Sequence, residues 1–428
     1  MTAEIAVMNK EAIALAADSA VTMAKKKGQK IFTSANKLFT LSKYYPVGIM
    51  VYGNASLMGI PWETIIKIYR RKSGEKKFDT LKEYANKFIT YLNNDSSLFP
   101  ETEQKKYLYG NTFIYFTSIK KDIEKRVKSI IDKEGKVTDN QAKQTTSDII
   151  EKHFGKLEKH KMLPSIPKGH IENIIKKYMD IIDKAKEDVF EKLTISTDSL
   201  NHLRKISASL FSKDIFLSNV SGIAIAGFGE KDTFPSLKAF DIEGVVNNKL
   251  KYKEKLSKEI NFENAATIIP FAQREMVYTF MEGINPYLQN QIEGYLSEIF
   301  DKYPEVIVEN IEKFDDSEKE RLKQKLKEVS NKIFKDYQEH VTTYRRKKYV
   351  NPVLKVVGML PKDELATMAE SLVSLTSFRR KVTMDTETVG GPIDVAIISK
   401  GDGFIWIKRK HYFKAELNHQ FFSNYYRR

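Results

Sequence analysis

Four groups within the first 53 residues could together catalyse acyl transfer: the hydroxyl of Thr2, the carboxylate of Asp18, the cation of Lys37 and the backbone N–H of Gly53. A threonine at the start of a chain can attack through its hydroxyl while its own α-amine takes the proton. That amine titrates near about 8 in an unfolded peptide, which is close to working pH. The chemistry requires removal of Met1, and the small side chain of Thr2 permits that removal.

Two predicted hairpins would position these groups. Residues 3–8 and 12–17 have strand character, and a three-residue loop centred on Lys10 would join them. Such a loop pairs residues whose numbers sum to roughly 20, because the loop sets the register of a hairpin. The sequence therefore predicts that Thr2 faces Asp18.

The second predicted hairpin contains Lys37 and Gly53. Its strands are residues 37–41 and 47–53, and the turn between them carries Pro46. Pairing residues across this turn in the same way brings Lys37 close to the end of the second strand. We expect the ends of the two hairpins to collect the hydroxyl, the amine, the lysine, the carboxylate and the N–H that an acyl-transfer site needs.

With these residues, the first 70 positions resemble the β-type subunits of the proteasome and of its simpler bacterial relatives, which are N-terminal nucleophile hydrolases. The resemblance rests on Thr2, on Asp18 in Ala-Ala-Asp-Ser, on Lys37 in Asn-Lys-Leu-Phe, and on Gly53. It implies that Thr2 is the catalytic nucleophile, that Asp18 and Lys37 support it, and that the Gly53 N–H binds the oxyanion. The implied fold is α+β, a four-layer αββα sandwich.

Later segments continue the resemblance in order. Residues 223–229 and 235–244 are similar to the family's next hairpin, and residues 365–378 have apolar side chains at helical spacing. Strands are expected at residues 390–398 and 403–407. A helix is predicted over residues 61–70, with proline at its first position.

Two long lysine-rich segments are predicted to be helical insertions, because apolar residues recur in them at helical spacing. In the second, Ser317 and Glu320 form the pattern of a capping box ahead of a long polar helix. The predicted organisation comprises a discontinuous core (1–71, 215–284 and 350–412), helical insertions (72–214 and 285–349) and a basic, aromatic C-terminal tail (413–428).

The chain departs from the family pattern in two places. The family supports its threonine with a Gly-Ser-rich turn, whereas residues 269–274 read Ile-Pro-Phe-Ala-Gln-Arg. An aspartate and a serine usually precede the late Gly-Gly pair, whereas Thr386 and Val389 stand there and Asp385 is one position out of step. These changes would affect how the lysine and the amine are oriented.

Composition excludes several classes of protein. The chain has no cysteine, so disulfides and thiol catalysis are excluded, and a reducing cytoplasm is expected. Charged residues interrupt the apolar start, which is unlike a signal peptide, and no membrane span is expected. There is no HExxH motif and no P-loop, and His160 and His170 are interpreted as surface residues, so we expect neither a metal nor a cofactor.

The resemblance implies a homo-oligomer that acts on a peptide or protein, with a partner protein or ATPase as a further candidate. Two alternatives stay open. The first is a catalytically inactive scaffold or interaction protein. The second is a nucleic-acid-associated protein, since the net charge is +15 and residues 345–348 form a basic cluster. Base stacking could use the aromatic tail, although packing on another subunit is favoured.

Overall fold

The chain is a mixed α+β protein with antiparallel sheets, which confirms the predicted α+β class. It divides into two compact units, unit 1 (Met1–Leu38 and Glu259–Arg428) and unit 2 (Phe39–Lys258). This boundary does not follow the predicted division into core and insertions. The computed structural model describes residues 3–25, 28–95, 97–191, 193–217, 220–383 and 389–426.

The strands in chain order are β1 (Glu4–Asn9), β2 (Ala12–Ala17), β3 (Val21–Lys25), β4 (Gly28–Phe32), β5 (Leu38–Thr40), β6 (Val47–Gly53), β7 (Ser56–Leu57), β8 (Ile60–Pro61), β9 (Ser221–Gly227), β10 (Ser236–Val246), β11 (Lys249–Glu259), β12 (Ala266–Ala272), β13 (Asp394–Ser399) and β14 (Gly403–Lys408). The helices are α1 (Trp62–Ser73), α2 (Leu81–Asn94), α3 (Glu101–Glu134), α4 (Asp139–Glu158), α5 (His170–Phe190), α6 (Thr197–Leu210), α7 (Glu275–Glu282), α8 (Pro286–Glu309), α9 (Asp316–Arg345), α10 (Asn351–Val357), α11 (Lys362–Val382) and α12 (His419–Tyr426).

Unit 1 is built on a five-stranded sheet in the order β12-β1-β2-β13-β14. Alternate residues of β1, such as Ile5 and Val7, pack with the apolar face of α11 and with α7 and α10. Because side chains alternate along a strand, Glu4, Ala6 and Met8 lie on the opposite face. Those three residues are also buried, so both faces of β1 are removed from water.

The register of the first hairpin differs from the prediction by one residue. Glu4 pairs with Ala17, so paired numbers sum to 21. The cause is Asn9, whose side-chain oxygen accepts hydrogen bonds from the N–H groups of Glu11 and Ala12, each at 3.0 Å. This closes a shorter turn than a loop centred on Lys10 would. The predicted pairing sum of 20 is therefore wrong for this hairpin, and the predicted pairing of Thr2 with Asp18 lies outside the described residues.

The side-chain nitrogen of Asn9 donates to Val357 O at 3.1 Å and to Leu360 O at 2.8 Å. Val357 is the last residue of α10, and Leu360 lies in the connection between α10 and α11. One buried amide thus stabilises the β1–β2 turn and fixes it to a helical segment more than 300 residues away.

Unit 2 has a five-stranded sheet in the order β11-β10-β9-β6-β5. The N–H of Leu41 donates to Val47 O at 2.9 Å, which is the hydrogen bond expected for the predicted second hairpin. The predicted β9–β10 hairpin is confirmed as an antiparallel pair. Helices α1 and α2 cover this sheet through an apolar cluster that includes Trp62 and Phe88. Pro61 lies at the N-cap of α1, one position before the predicted one.

Helices α3 to α6 form a separate apolar cluster of unit 2. The segment 72–214 is helical as its spacing indicates, and its status as an insertion stays a prediction. The surface interpretation of His170 is wrong, because His170 begins α5 and is only 1% exposed. Burial, with a smaller contribution from the cation of Lys249, lowers the pKa of His170 to about 4. Its position in the helix sequence gave no sign of that burial.

In the second predicted insertion, α8 and α9 form two long helices of unit 1. The capping box lies two residues before the predicted one, because Asp315 and Glu318 form it in place of Ser317 and Glu320. Asp315 precedes the first helical residue, so it is the side chain that can reach the free N–H groups. Among the described residues, no helix combines the length and apolar character needed to cross a membrane.

Candidate active site

Asp18 follows β2 directly and is fully buried. Its Oδ1 accepts from Lys37 Nζ at 2.7 Å and from Ala3 N at 2.9 Å. Its Oδ2 accepts from Gly390 N at 2.9 Å and from Ala20 N at 3.3 Å. A buried carboxylate loses the hydration it has in water, and these donors replace that hydration. Asp18 therefore joins three separate parts of unit 1.

Lys37 reaches Asp18 because the preceding chain is tied to the segment after β2. Ala35 N donates to Ser19 O at 3.1 Å, two residues before the lysine. The Lys37 side chain is 6% exposed, so the ion pair with Asp18 is screened little by water. The structure thus brings together two of the four predicted site residues.

Ala3 is the described residue nearest to the predicted nucleophile, since its nitrogen carries the peptide bond to Thr2. In addition to the bond from Ala3 N to the carboxylate, Asp18 N donates to Ala3 O at 3.0 Å. These two reciprocal hydrogen bonds fix the beginning of β1 against the Lys37–Asp18 pair. Both Met1 and Thr2 lie outside the described residues.

Glu4 is a site residue that sequence reasoning missed. Its side chain is buried, and neither carboxyl oxygen has a hydrogen-bond partner among the described residues. Burial raises the pKa of Glu4 well above its usual value; the cation of Lys37 lowers it and the carboxylate of Asp18 raises it. The protonated, neutral form is therefore favoured over a wider pH range than for an exposed glutamate. The available signal was an acid placed inside an apolar strand.

The late Gly-Gly pair closes the other side of Asp18. Gly390 O accepts from Ser19 N at 3.2 Å, in addition to the bond from Gly390 N to Asp18. Gly391 has φ +78°, and a Cβ there would lie 2.9 Å from the Cβ and the carbonyl oxygen of Thr33. Only glycine suits that position. The preceding Val389 is fully buried, whereas Asp385 and Thr386 lie outside the described residues.

Residues 269–274, where a Gly-Ser-rich turn was expected, end β12 and lead into α7. Of these, Ala272 pairs with Glu4 of β1. The next residue, Gln273, has φ +52°, which is uncommon for a residue other than glycine. Arg380 of α11 donates through Nε to Gln273 Oε1 at 3.0 Å. An arginine–amide contact therefore stabilises the backbone at residue 273.

Gly53 belongs to unit 2, whereas Asp18 and Lys37 belong to unit 1. It ends β6 with φ +78°, and a Cβ there would lie 2.7 Å from Val220 O. The next residue, Asn54, donates its N–H to the same oxygen at 3.1 Å. The glycine is required by this close approach of the end of β6 to the residue before β9, whatever its role in an oxyanion site.

No protein-family model matches this chain, and no curated protein matches its sequence. In the part of the chain that the structure describes, no group of three or more acidic or histidine side chains is placed to hold a metal ion.

Proposed function

We propose that the protein is an N-terminal threonine hydrolase that cleaves peptide or amide bonds through an acyl-enzyme on Thr2, after removal of Met1. The observation that carries the proposal is the buried Lys37–Asp18 pair, whose carboxylate also binds the N–H of Ala3. Since Ala3 is bonded to Thr2, the proposed nucleophile is covalently attached to the residue that this pair holds.

The reaction starts when the Thr2 hydroxyl attacks the substrate carbonyl carbon and its proton passes to the Thr2 α-amine. A backbone N–H then stabilises the tetrahedral oxyanion, an interaction typically worth roughly 3 kcal/mol. The resemblance implies that Gly53 supplies this N–H. The C–N bond breaks, the leaving amine takes the proton, and an ester remains on Thr2. Water then attacks the ester carbonyl carbon and the bond from that carbon to Thr2 Oγ breaks. The proton of the water passes through the α-amine to Oγ, which restores the hydroxyl as the acid product leaves.

Charge around the nucleophile decides how readily the hydroxyl loses its proton. Lys37 supplies positive charge and Asp18 compensates it, so the pair is neutral as a whole. A neutral Glu4 keeps the group neutral, whereas an ionised Glu4 would add a negative charge and oppose formation of the oxyanion. We therefore assign Glu4 the role of a neutral acid that leaves the field of Lys37 intact.

The four-layer αββα sandwich belongs to the same proposal. Its support is that each unit contains one five-stranded sheet, and that helices cover one face of each sheet by apolar contacts. In unit 1 the other face of the sheet is also buried, at Ala6, Met8 and Leu15. A sheet in an inner layer requires two buried faces.

The second candidate function is a scaffold with this fold and no catalytic activity. It is favoured by the contact of Arg380 with Gln273, which replaces the family's supporting turn. The nucleic-acid alternative gains less, because Arg345 of the basic cluster donates to Glu282 at 3.1 Å. An arginine already paired with a carboxylate offers less charge to a phosphate.

The test is the intact mass of the purified full chain before and after a peptide epoxyketone, which captures an N-terminal threonine through both its amine and its hydroxyl. The hydrolase proposal expects a chain lighter by one methionine that gains the probe. Thr2→Ala should stay unlabelled, and the matched control Thr367→Ala, on the exposed face of α11, should be labelled as the wild type is. A retained Met1 would contradict the proposal, and a processed chain that gains no probe would favour the scaffold.

A further inference from the structure

One edge of α8 leaves large apolar side chains exposed to solvent. They are spaced by three or four residues, which is the spacing of a helix–helix seam. Each has at least 40% of its surface exposed: Leu288, Ile292, Tyr295, Ile299, Tyr303 and Val306. Single exposed apolar residues are ordinary, but a row along nearly the whole of a 24-residue helix is not.

Helix α9 carries a second exposed row. Its members are between 37% and 54% exposed: Val329, Ile333, Tyr337 and Tyr344. The position that falls between Tyr337 and Tyr344 at the same spacing is the exposed His340. No lysine, arginine, aspartate or glutamate occupies a position of either row, although 30% of the whole chain is charged. We call the two rows together the α8–α9 face.

Contacts between the helices show that they run antiparallel and which residues face each other. Early residues of α8 meet late residues of α9, and late residues of α8 meet early ones. The pairs are Glu293 with Gln338 at 3.2 Å, Phe300 with Phe334 at 5.7 Å between ring centroids, and Glu305 with Lys327 at 3.2 Å.

The two exposed rows lie on the same side of this helical pair. In α8, Ile292 and Ile299 come immediately before the facing residues Glu293 and Phe300. In α9, Ile333 likewise comes immediately before Phe334. One residue back is a rotation of about 100° about the helix axis. Because the helices run in opposite directions, equal rotations on both turn the side chains toward one common side. The α8–α9 face is therefore continuous across both helices.

We propose that the α8–α9 face binds the same face of a second copy of this chain, related by a two-fold axis, to form a four-helix interface. A two-fold contact requires a self-complementary surface, and two antiparallel helices with matched apolar spacing provide one. The ten side chains, each about half exposed and of roughly 200 Å² in full, supply on the order of 1,000 Å². A stable interface needs about 800 Å² from each partner.

The distribution of charge also favours a second copy of this chain as the partner of the α8–α9 face. A chain with net charge +15 repels its own copies at long range, so self-association requires a surface without charge. Nucleic acid would instead select a face rich in lysine and arginine, and the two rows contain neither. This interface does not depend on the proposed hydrolase activity.

The experiment is sedimentation of the full chain over a range of concentrations. The wild type should show a reversible monomer–dimer equilibrium. Ile299→Glu with Ile333→Glu should weaken self-association by at least about 100-fold, since two buried charges from each copy would meet in the interface. The matched control is Asn290→Glu with Asn331→Glu, which introduces the same number of glutamates. Both positions are exposed. Each comes one residue after a position that faces the other helix, so both lie on the opposite side of the helical pair. It should dimerise as the wild type does.

A second measurement uses a variant with little effect on folding. Because the chain has no cysteine, Ile299→Cys and Asn331→Cys each carry a single thiol. The thiol at position 299 should react with a maleimide more slowly as protein concentration rises, and the thiol at position 331 should not. A monomeric wild type, a glutamate variant that associates like the wild type, or concentration-independent reactivity at position 299 would each overturn the proposal.

Discussion

Ala3 and Asp18 hold each other through two hydrogen bonds: the Ala3 N–H binds the Asp18 carboxylate at 2.9 Å, and the Asp18 N–H binds the Ala3 carbonyl at 3.0 Å. The start of β1 is thus fixed by the same carboxylate that pairs with Lys37. Asp18 therefore contributes to the stability of unit 1 and, through Lys37, to the chemistry proposed for Thr2.

Asp18→Ala should destabilise the protein by about 3–5 kcal/mol, because it leaves the buried cation of Lys37 without its partner. Denaturant unfolding measures this loss. The matched control is Asp188→Ala, which removes an exposed aspartate bonded to Tyr109 and should cost far less. Equal losses for the two variants would show that the buried pair has no special role.

Lys37→Ala should reduce turnover of a peptide substrate by at least about 100-fold, since the cation that favours deprotonation of Thr2 is lost. The control is Lys335→Ala, whose side chain is 75% exposed in α9. Initial rates should be compared at a temperature where circular dichroism shows both variants folded. An unchanged rate in folded Lys37→Ala would refute the mechanism.

Glu4→Gln should change how stability depends on pH. Burial raises the folded-state pKa of Glu4, so the folded protein keeps a proton that the unfolded chain releases. Wild-type stability from this group is present below the unfolded pKa, near 4.5, and is lost as pH rises toward the folded value, with a slope of up to about 1.4 kcal/mol per pH unit. Glutamine has the same shape and does not titrate.

Unfolding of wild type and Glu4→Gln across this pH range tests the assignment. The difference in unfolding free energy should move in favour of Glu4→Gln as pH rises. Turnover of the wild type should also fall at high pH more steeply than turnover of the variant, because ionised Glu4 opposes the oxyanion. Parallel stability curves would mean that Glu4 titrates like an exposed acid.

Gly391→Ala should cost about 1–3 kcal/mol, because alanine at positive φ is strained and its Cβ would meet Thr33. Thermal unfolding measures the loss. Gly401→Ala is the control, since a Cβ at Gly401 would meet no atom within 4 Å. If both variants melted alike, the close approach of Gly391 to Thr33 would not constrain the fold.

Much of the fold was predictable from local pattern, and the site was predictable in part. The resemblance implied the hairpin of β9 and β10, and apolar spacing indicated α11 with Leu365, Ala369 and Leu372 buried. Asp18 and Lys37 meet as predicted. These features depend on short-range regularities that the sequence carries directly.

The predictions that were wrong, and the buried residues that were not predicted, depend on contacts that a local sequence pattern does not contain. The register of the first hairpin depends on Asn9, whose side-chain oxygen accepts hydrogen bonds from backbone N–H groups and so selects a shorter turn. His170 appears as an ordinary polar residue in sequence, and the only sign at Glu4 is an acid inside an apolar strand, yet tertiary packing buries both. Burial of a single polar side chain depends on the elements packed around it, which a strand or helix pattern does not specify.

The Asn9 amide also has a consequence for how the protein opens. It bonds the β1–β2 turn and the carbonyls of Val357 and Leu360 at once, so any opening that withdraws the Asn9 side chain breaks its hydrogen bonds to both segments. Amide protons at Ala12 and in the α10–α11 connection should therefore exchange with deuterium in a single cooperative event. The first hairpin and a helical segment distant in sequence would behave as one unit of local unfolding.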